Sequence, residues 1–269
     1  MSIDLCIVSY NNRNEIQRLL DCFYGSLHEA IPRNENDCWG VYIADNGSTD
    51  GTVEFLDSSS SFYFVDKVIY NDNIGYAQAC NYLATLGQGE IIGLLNADVW
   101  FTAKDLKKIQ TYFDCNPRVG IVGPKQRNER NQITHAGIFG SNTEPRHRGW
   151  KEYDAYDNKY RDVQEAITVS GSAYFIRRSV WNVLTECEIF KSLYPDALGA
   201  FLPTQHYYEE TWCSYHAREH GYKVMYNGDI SIGHSWHASS KVGGEADAQF
   251  PKSQSLFRQM CDHHKIDRD

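Results

Sequence analysis

The sequence predicts an α/β protein with a mostly parallel central sheet flanked by helices, and a smaller region in the carboxyl-terminal half. Three observations favour this class. Short apolar segments alternate with segments of helical periodicity along residues 1–123. Small and polar residues follow each apolar segment, as they do at the carboxyl ends of parallel strands. Residues 91–95 are a continuous apolar run, which is typical of a strand covered on both faces.

The composition indicates one large globular domain. The 269 residues are 42% hydrophobic and 23% charged, which is enough to build a full core. A formal net charge of -9 provides no basic field to attract nucleic acid or an anionic membrane. With no run of about 18 apolar residues and no basic leader, we expect a cytoplasmic protein without an integral membrane segment. The 8 cysteines lack a Cys-x-x-Cys pair, so we expect reduced, mostly buried thiols rather than disulfides or a zinc site.

The secondary-structure elements can be predicted in chain order. Residues 15–27 place Ile16, Leu19 and Phe23 on one helical face, as a helix packed on a sheet requires. Helices between strands imply right-handed crossovers and therefore parallel pairing. The pattern predicts strands at 3–8, 41–44, 65–70, 91–95, 119–122 and 229–232, and further helices at 53–56, 76–86, 207–222 and 253–261.

Polar residues and glycine follow the first four predicted strands. Because parallel strands end at the same edge of a sheet, we expect these residues to line one crevice, where ligands bind in open α/β sheets. A carboxylate there can accept hydrogen bonds from a nucleotide base or ribose, and a glycine lets backbone approach a ligand. The residues are Ser9, Asn11, Asp45, Asn73, Gly75, Asn96 and Asp98.

Two alternatives stay open at this edge. Residues 45–48 are Asp-Asn-Gly-Ser, which is equally typical of a simple turn. Asp98 can hold a divalent cation that neutralises phosphates, or it can cap a helix near residue 103 or merely end the strand. Since neither the Gly-x-Gly-x-x-Gly nor the P-loop fingerprint is present, a nucleotide's phosphate charge favours the cation.

Four segments together resemble a known family. In order and spacing they are similar to the motifs of glycosyltransferase family 2, in its rhamnosyltransferase-like branch. The segments are Ile7-Val8-Ser9-Tyr10-Asn11-Asn12, Asp45-Asn46-Gly47-Ser48-Thr49-Asp50-Gly51-Thr52, Asn73-Ile74-Gly75-Tyr76-Ala77, and Leu94-Leu95-Asn96-Ala97-Asp98.

The resemblance implies a GT-A fold and an inverting transfer from a nucleoside diphosphate sugar, with UDP or dTDP as the nucleotide. It implies Mn²⁺ or Mg²⁺ at the Asp-x-Asp equivalent, where Asn96 replaces the first acid and leaves the metal mainly on Asp98. Residues 1–123 are then the nucleotide-sugar-binding half, and residues 124–269 the acceptor-binding and catalytic half of the same domain. Gly171 matches the close-approach position of the family's Gly-rich segment.

The helix predicted at 207–222 opens with Glu209 and Glu210. Acids in a first turn favour the helix dipole, so plain capping is one interpretation. The resemblance places the family's Glu-Asp motif on these two residues and makes Glu210 the general base, although Glu210 replaces the usual Asp and Trp212 a later acid.

Histidines and the central insertion leave further alternatives. His234 resembles the family's late metal-binding His, but a single His after a strand can be structural. His216 and His220 are predicted to be a surface pair rather than a metal site. Residues 124–166 form either a solvated insertion or part of the acceptor site, and residues 241–248 are predicted to be a mobile lid.

The expected partners are a nucleoside diphosphate sugar and a glycan or other hydroxyl-bearing acceptor. The acidic balance gives a nucleic-acid acceptor no support, although the sequence leaves it open. Two other functions fit a similar frame. A nucleotidyltransferase also uses a metal-bound Asp at a strand end, and a non-catalytic nucleotide-sugar-binding module would account for the altered acid motif.

Overall fold

The computed structural model describes residues 1–30, 39–63, 65–141, 145–235 and 245–265. Its helices are α1 Arg13–Gly25, α2 Thr52–Tyr63, α3 Tyr76–Leu83, α4 Ala103–Cys115, α5 Arg178–Thr185, α6 Glu188–Leu193, α7 Glu209–Glu219 and α8 Glu245–His264. Its strands are β1 Ile3–Ser9, β2 Trp39–Asp45, β3 Asp66–Ile69, β4 Ile91–Asn96, β5 Val99–Trp100, β6 Val119–Arg127, β7 Ile133–His135, β8 Ile138–Gly140, β9 Pro145–His147, β10 Val163–Glu165, β11 Ala173–Arg177 and β12 Lys223–His234.

A ten-stranded sheet organises the molecule, and it confirms the predicted α/β class. Eight of its strands lie in the order β10-β12-β6-β11-β4-β1-β2-β3. The other two are β5, which pairs with β12, and β7, which pairs with β6. Strands β4, β1, β2 and β3 run parallel, as the alternation of strands and helices predicts. Strand β11 is inserted antiparallel between β4 and β6. The carboxyl ends of β1 and β4 therefore lie side by side near the middle of the sheet.

Helix α1 covers one face of this sheet with the apolar stripe that its spacing predicts. Ile16, Leu19 and Phe23 are all at most 2% exposed and belong to the same cluster as the β1 side chains. On the other face, α3, α5 and α7 pack around Tyr174 and Phe201, which are fully buried. Both faces of β1 and β4 are covered, which explains why both sequences are mostly apolar, with Ser9 and Asn96 only at the strand ends and Asp4 buried in an ion pair with Arg178.

The insertion at 124–166 is partly folded onto the sheet and partly solvated, since most of its residues from 145 to 165 are exposed. Strand β7 pairs with β6, and β8 pairs with β9. Beneath them, Lys125 Nζ lies 3.1 Å from Asp154 Oδ2, and both side chains are fully buried. The strands β7, β8 and β9 have three residues each, too short for a sequence period to identify.

Other predictions have mixed outcomes. In the carboxyl-terminal helix, Phe257 and Met260 are buried as the pattern predicts. Of the predicted lid, residues 241–244 lie outside the described residues. The described cysteines are free thiols, four of them buried, whereas Cys115 is exposed. Within the described ranges, every helix is too short or too polar to cross a lipid bilayer.

Candidate active site

A cleft of about 1210 Å³ opens at the carboxyl ends of β1 and β4. Both halves of the chain contribute to its walls. Seven of the eleven predicted site residues line it, and they are Asn73, Asn96, Asp98, Gly171, Glu209, Glu210 and His234.

Asp98 and His234 are brought together by strand pairing. Strand β5 pairs with the end of β12, so that His234 lies opposite Val99. As a result, Asp98 Oδ1 lies 3.5 Å from His234 Nε2, and the two side chains are 4% and 8% exposed. A side chain at Gly233 would overlap the Trp100 ring, so this register requires glycine there.

The helix-capping alternative for Asp98 is wrong. Helix α4 is capped by Thr102, whose hydroxyl accepts from the Asp105 amide while the Asp105 carboxylate accepts from the Thr102 amide. That reciprocal capping box satisfies the helix end without Asp98.

The Asp98 region has the donor set of a hard or borderline divalent cation. Asp98 supplies a carboxylate and His234 an imidazole, while Asn96 lines the same part of the cleft. Among the described residues, His234 Nδ1 has no hydrogen-bond partner although it is buried. The charged residues on the described lining are three acids and one arginine, Asp98, Glu209, Glu210 and Arg258. A diphosphate entering this cleft needs a cation, so the residues fit Mn²⁺ or Mg²⁺.

Glu209 and Glu210 begin helix α7 on the opposite wall. The Glu209 carboxylate is buried and accepts from the Thr204 hydroxyl at 3.1 Å. Burial and the neighbouring charge of Glu210 raise the pKa of Glu209 to about 8. Burial also raises the pKa of Glu210, but a hydrogen bond from Glu209 opposes that shift. Both shifts favour the neutral form, so the two neighbouring carboxyls titrate as a pair that retains a proton to higher pH than a free Glu.

The backbone before these acids is strained. Tyr207 and Tyr208 have φ of 69° and 71°, in the left-handed region that residues with side chains seldom occupy. Tyr208 is held there because its carbonyl accepts from the Trp212 amide at 2.9 Å and its ring stacks on Phe257. Such strain is concentrated at functional sites. Here it makes helix α7 begin at Glu209 rather than at the predicted residue 207.

Gly171 lies directly beneath the acid pair. A Cβ at this position would lie 3.4 Å from the Glu210 side chain, which is an ordinary van der Waals contact. The Gly171 carbonyl accepts from the Tyr76 hydroxyl at 2.7 Å, which ties the segment to helix α3. Gly171 therefore lies beside Glu210 in the cleft, and its close approach to a donor stays a prediction.

Asp45 does not line the cleft, although its neighbour Asn46 does. Asp45 is fully buried and accepts from the Gly47 amide, the Ser48 amide and the Ser48 hydroxyl. Asn11, with φ of 53°, accepts from the Thr49 amide and so joins this loop to the first one. The turn interpretation of residues 45–48 agrees with this geometry, and the contact of Asp45 with a nucleoside stays a prediction.

Ser9 and Gly75 are also absent from the described lining of the cleft, where the sequence predicts them. Val8 and Tyr10 line the cleft, and because strand neighbours alternate between faces, Ser9 is turned into the protein. Gly75 has φ of 88°, and a Cβ there would lie 3.2 Å from the Gln205 backbone. Its close approach is therefore to the chain itself. Asn73 lines the cleft, while its side-chain oxygen accepts from the Gly75 amide at 2.9 Å.

Sequence reasoning missed the aromatic wall of the cleft. His147 and Trp150 come from the insertion, with ring centroids 5.6 Å apart, and face the same cleft as Tyr207 and Phe250. Trp150 is 37% exposed and Phe250 is 42% exposed. Their isolated positions in polar segments carry no period, so only their aromatic character in a polar stretch could have indicated a binding surface. Part of the insertion thus lines the cleft, while most of its residues from 145 to 165 are exposed, and the acceptor-site interpretation stays a prediction.

The surface prediction for the histidine pair is wrong in part. The His216 ring is 1% exposed and packs between Phe190 and Trp212, whereas His220 is exposed. Helix α7 is covered by both α6 and α8, so that face of it is interior.

The chain belongs to glycosyl transferase family 2, whose model matches residues 4–184. It is also 26% identical over 128 residues to the abequosyltransferase RfbV of Salmonella typhimurium. That match covers 47% of this chain and 37% of the relative.

Solved structures share the fold across almost the whole chain. TarS of S. aureus, residues 1–349, matches with a TM-score of 0.57 at 12% identity, covering 96% of this chain and 64% of that one. GalNAc-T7 with UDP, GalNAc and Mn²⁺ matches at 0.61 and 16% identity, covering 89% and 44%. The mannosyltransferase PcManGT of Pyrobaculum calidifontis, in complex with GDP-Man and Mn²⁺, matches at 0.58 and 14%, covering 97% and 68%. The GT-A fold implied by the sequence motifs is confirmed.

Proposed function

We propose that this chain is an inverting glycosyltransferase that moves a sugar from a UDP- or dTDP-sugar to a hydroxyl group of a glycan or another polymer. The observation that carries the proposal is that Asp98, His234 and Glu210 line one cleft, with Asp98 next to His234, in a chain of this family. The first half, residues 1–123, binds the nucleotide sugar, and residues 124–269 bind the acceptor and supply the base.

Asp98 and His234 would hold Mn²⁺ or Mg²⁺ against the diphosphate, with Asn96 beside them. When bound, the cation neutralises the charge that develops on the leaving nucleoside diphosphate. Three acids against one arginine leave the described lining with no other strong source of positive charge for that group. The mannosyltransferase and GalNAc-T7 structures each contain Mn²⁺, which supports the same use here.

Glu210 would take the proton of the acceptor hydroxyl. The acceptor oxygen bonds to the anomeric carbon, the bond from that carbon to the diphosphate oxygen breaks, and the proton moves to a carboxylate oxygen of Glu210. A single attack of this kind inverts the anomeric configuration. Glu209 is a positioning residue, because its contact with Thr204 and its hydrogen bond to Glu210 orient that carboxylate.

The aromatic wall would bind the acceptor. Trp150 and Phe250 present apolar ring faces at the cleft, and His147 lies beside Trp150. Rings with a polar edge suit sugars, which have apolar faces and hydroxyl rims. This composition favours a glycan acceptor over nucleic acid, for which the described lining provides a single arginine, Arg258.

The test replaces Glu210 by glutamine, which keeps the shape and removes the base. We expect UDP or dTDP release from a panel of nucleotide sugars with glycan acceptors to fall by about 10²–10⁴-fold, with donor binding unchanged. Glu219→Gln, an exposed acid on the same helix, is the matched control. Equal turnover in Glu210→Gln and the control would favour the non-catalytic binding module, and release of pyrophosphate instead would favour a nucleotidyltransferase.

A further inference from the structure

At a point away from the cleft, three elements of the fold bring metal-binding side chains together. Cys187 lies just before α6, His216 on α7 and His264 at the end of α8. One sulfur and one nitrogen from each ring lie within 4.8 Å of one another. These residues are separate in sequence, so the convergence is a property of the fold.

His216 is the central member, and no hydrogen bond among the described residues accounts for a polar side chain at this buried position. The ring is 1% exposed, and neither of its nitrogens has a hydrogen-bond partner among the described residues. His264 Nε2 is also buried without one. A buried imidazole that makes no hydrogen bond is costly, since it has lost its water and gained nothing in return.

The donor set differs from that of the cleft. A thiolate and two imidazoles suit Zn²⁺ and similar transition metals, whereas carboxylate and amide oxygens suit Mg²⁺ and Mn²⁺. The His216 nitrogens and His264 Nε2 are buried without a hydrogen-bond partner among the described residues, so a metal would occupy positions that no described group uses. Phe190 and Trp212 pack against the His216 ring and give the cluster a largely apolar surrounding.

We propose that Cys187, His216 and His264 form a structural transition-metal site of the Zn²⁺ class that fastens α8 and α6 to α7. Zinc bonds are about 2.3 Å to sulfur and about 2.0–2.1 Å to nitrogen, so the three donor atoms need to close by roughly 1 Å. Rotation of the Cys187 and His264 side chains, which are half-buried, provides that movement.

His220 lies beside this cluster, but its nitrogens are not among the donor atoms that lie within 4.8 Å of one another. Its ring centroid is 4.8 Å from that of His216, and its Nδ1 donates to the His216 carbonyl oxygen at 3.0 Å. That hydrogen bond holds the His220 ring against the carboxyl-terminal end of α7, next to the three donor residues.

The site would connect the two helices that shape the cleft. Helix α7 begins with the acid pair, and α8 contributes Gln254 and Phe257 to the lining. Gln254 donates to the Tyr208 hydroxyl at 3.0 Å, directly before Glu209. A metal at the far end of both helices would hold this contact in place without touching substrate.

The experiment loads the purified, metal-stripped full-length chain with Co²⁺ and with Zn²⁺, each alone. We expect about one Zn²⁺ to be retained per chain, and Co²⁺ to give the thiolate charge-transfer absorption of a Cys-bound ion. Cys187→Ser should abolish that absorption, and His264→Asn should weaken retention strongly while leaving the fold intact, since His264 lies near the chain end.

Matched controls separate this site from others. Cys115→Ser and His263→Asn change an exposed thiol and the adjacent exposed histidine, and Asp98→Asn removes the cleft site. All three should keep the thiolate–cobalt absorption and the retained Zn²⁺. Absence of the absorption in the unaltered chain, or its persistence in Cys187→Ser, would overturn the proposal and leave the three residues as plain packing. Neither result depends on the transferase activity.

Discussion

Asp45 and Asp98 occupy equivalent places in the fold but are used differently. Each lies where a buried parallel strand meets the same edge of the sheet, and both are at most 4% exposed. The Asp45 carboxylate accepts from the Gly47 amide and from the amide and hydroxyl of Ser48. Asp98 instead faces a histidine from a strand more than a hundred residues later.

The difference shows what decides the role of a carboxylate at a strand end. In an Asp-Asn-Gly-Ser turn, backbone amides donate hydrogen bonds to the carboxylate of the first residue. These bonds shape the loop and direct the carboxylate towards the turn instead of towards a ligand. No such turn follows Asp98, because β5 continues directly into a pairing with β12. The Asp98 carboxylate therefore lines the cleft beside the imidazole of His234, and these two groups are suitable ligands for a cation.

Among the substitutions that test the comparison of Asp45 with Asp98, we expect Asp98→Asn to have the largest effect. The change keeps the side-chain volume and removes the charge that would hold the cation. We expect turnover of the nucleotide sugar to fall by about 10³-fold, which corresponds to several kcal/mol of leaving-group stabilisation. The midpoint of thermal unfolding should stay within a few degrees, because neither the capping box of α4 nor the core is altered. A normal rate in this variant would place the cation elsewhere.

Asp45→Ala should act on stability instead. It leaves the Gly47 and Ser48 donors unsatisfied in a buried turn, which costs about 1–3 kcal/mol of unfolding free energy. We expect Tm to fall by roughly 2–4 °C for each kcal/mol, measured by thermal unfolding. Asp45→Asn is the control, since its amide oxygen can still accept from one of these donors. If Asp45→Ala unfolds like the unaltered chain but fails to bind UDP, the carboxylate contacts the nucleoside after all.

Trp150→Ala separates the acceptor wall from both carboxylates. The ring lies on the cleft, is 37% exposed and contacts His147, so its removal should cost binding area without affecting the core. We expect the KM for a glycan acceptor to rise about tenfold, with donor binding and kcat little changed. Tyr156→Ala, which removes an aromatic side chain that is 88% exposed in the same insertion, is the matched control. A change in donor binding would assign Trp150 to the nucleotide instead.

The smallest expected effect concerns pH and Glu209. Burial and the charge of Glu210 raise its pKa to about 8, so the folded chain keeps a proton that the unfolded chain releases near pH 4.3. The stabilisation from this neutral carboxyl is complete below about pH 4 and is lost as the pH rises towards about 8. Glu209→Gln is neutral throughout, so its fall in Tm between pH 5 and pH 8 should be smaller than that of the unaltered chain. An unchanged slope would mean that Glu209 is already ionised.

The donor half of the molecule could be predicted because its signals are local. Alternating strands and helices place Asn96 and Asp98 at the sheet edge, and a parallel sheet has one place for such residues. The same logic could not separate Asp45 from Asp98, because both follow a strand. Which one faces the cleft depends on hydrogen bonds within the turn and on the pairing of β5 with β12, and neither has a sequence period.

The acceptor half could be predicted only in part. The resemblance placed Glu209 and Glu210, but the strain at Tyr208 that starts their helix is set by packing on Phe257. His216 was misjudged because its helix is nearly as polar as a surface helix, while α6 and α8 cover it in the fold. Contacts between elements far apart in sequence decide burial there, and no single segment contains that information.

The most direct test of the Asp98 site is a thermal-shift measurement with UDP and dTDP, each with and without Mn²⁺. A ligand that binds only the folded state raises the unfolding midpoint. The comparison of Asp45 with Asp98 predicts an Mn²⁺-dependent rise with at least one of the two nucleotides in the unaltered chain and in Asp45→Asn, and its loss in Asp98→Asn. A rise that persists in Asp98→Asn, or one that ignores Mn²⁺, would contradict the cation site and the function built on it.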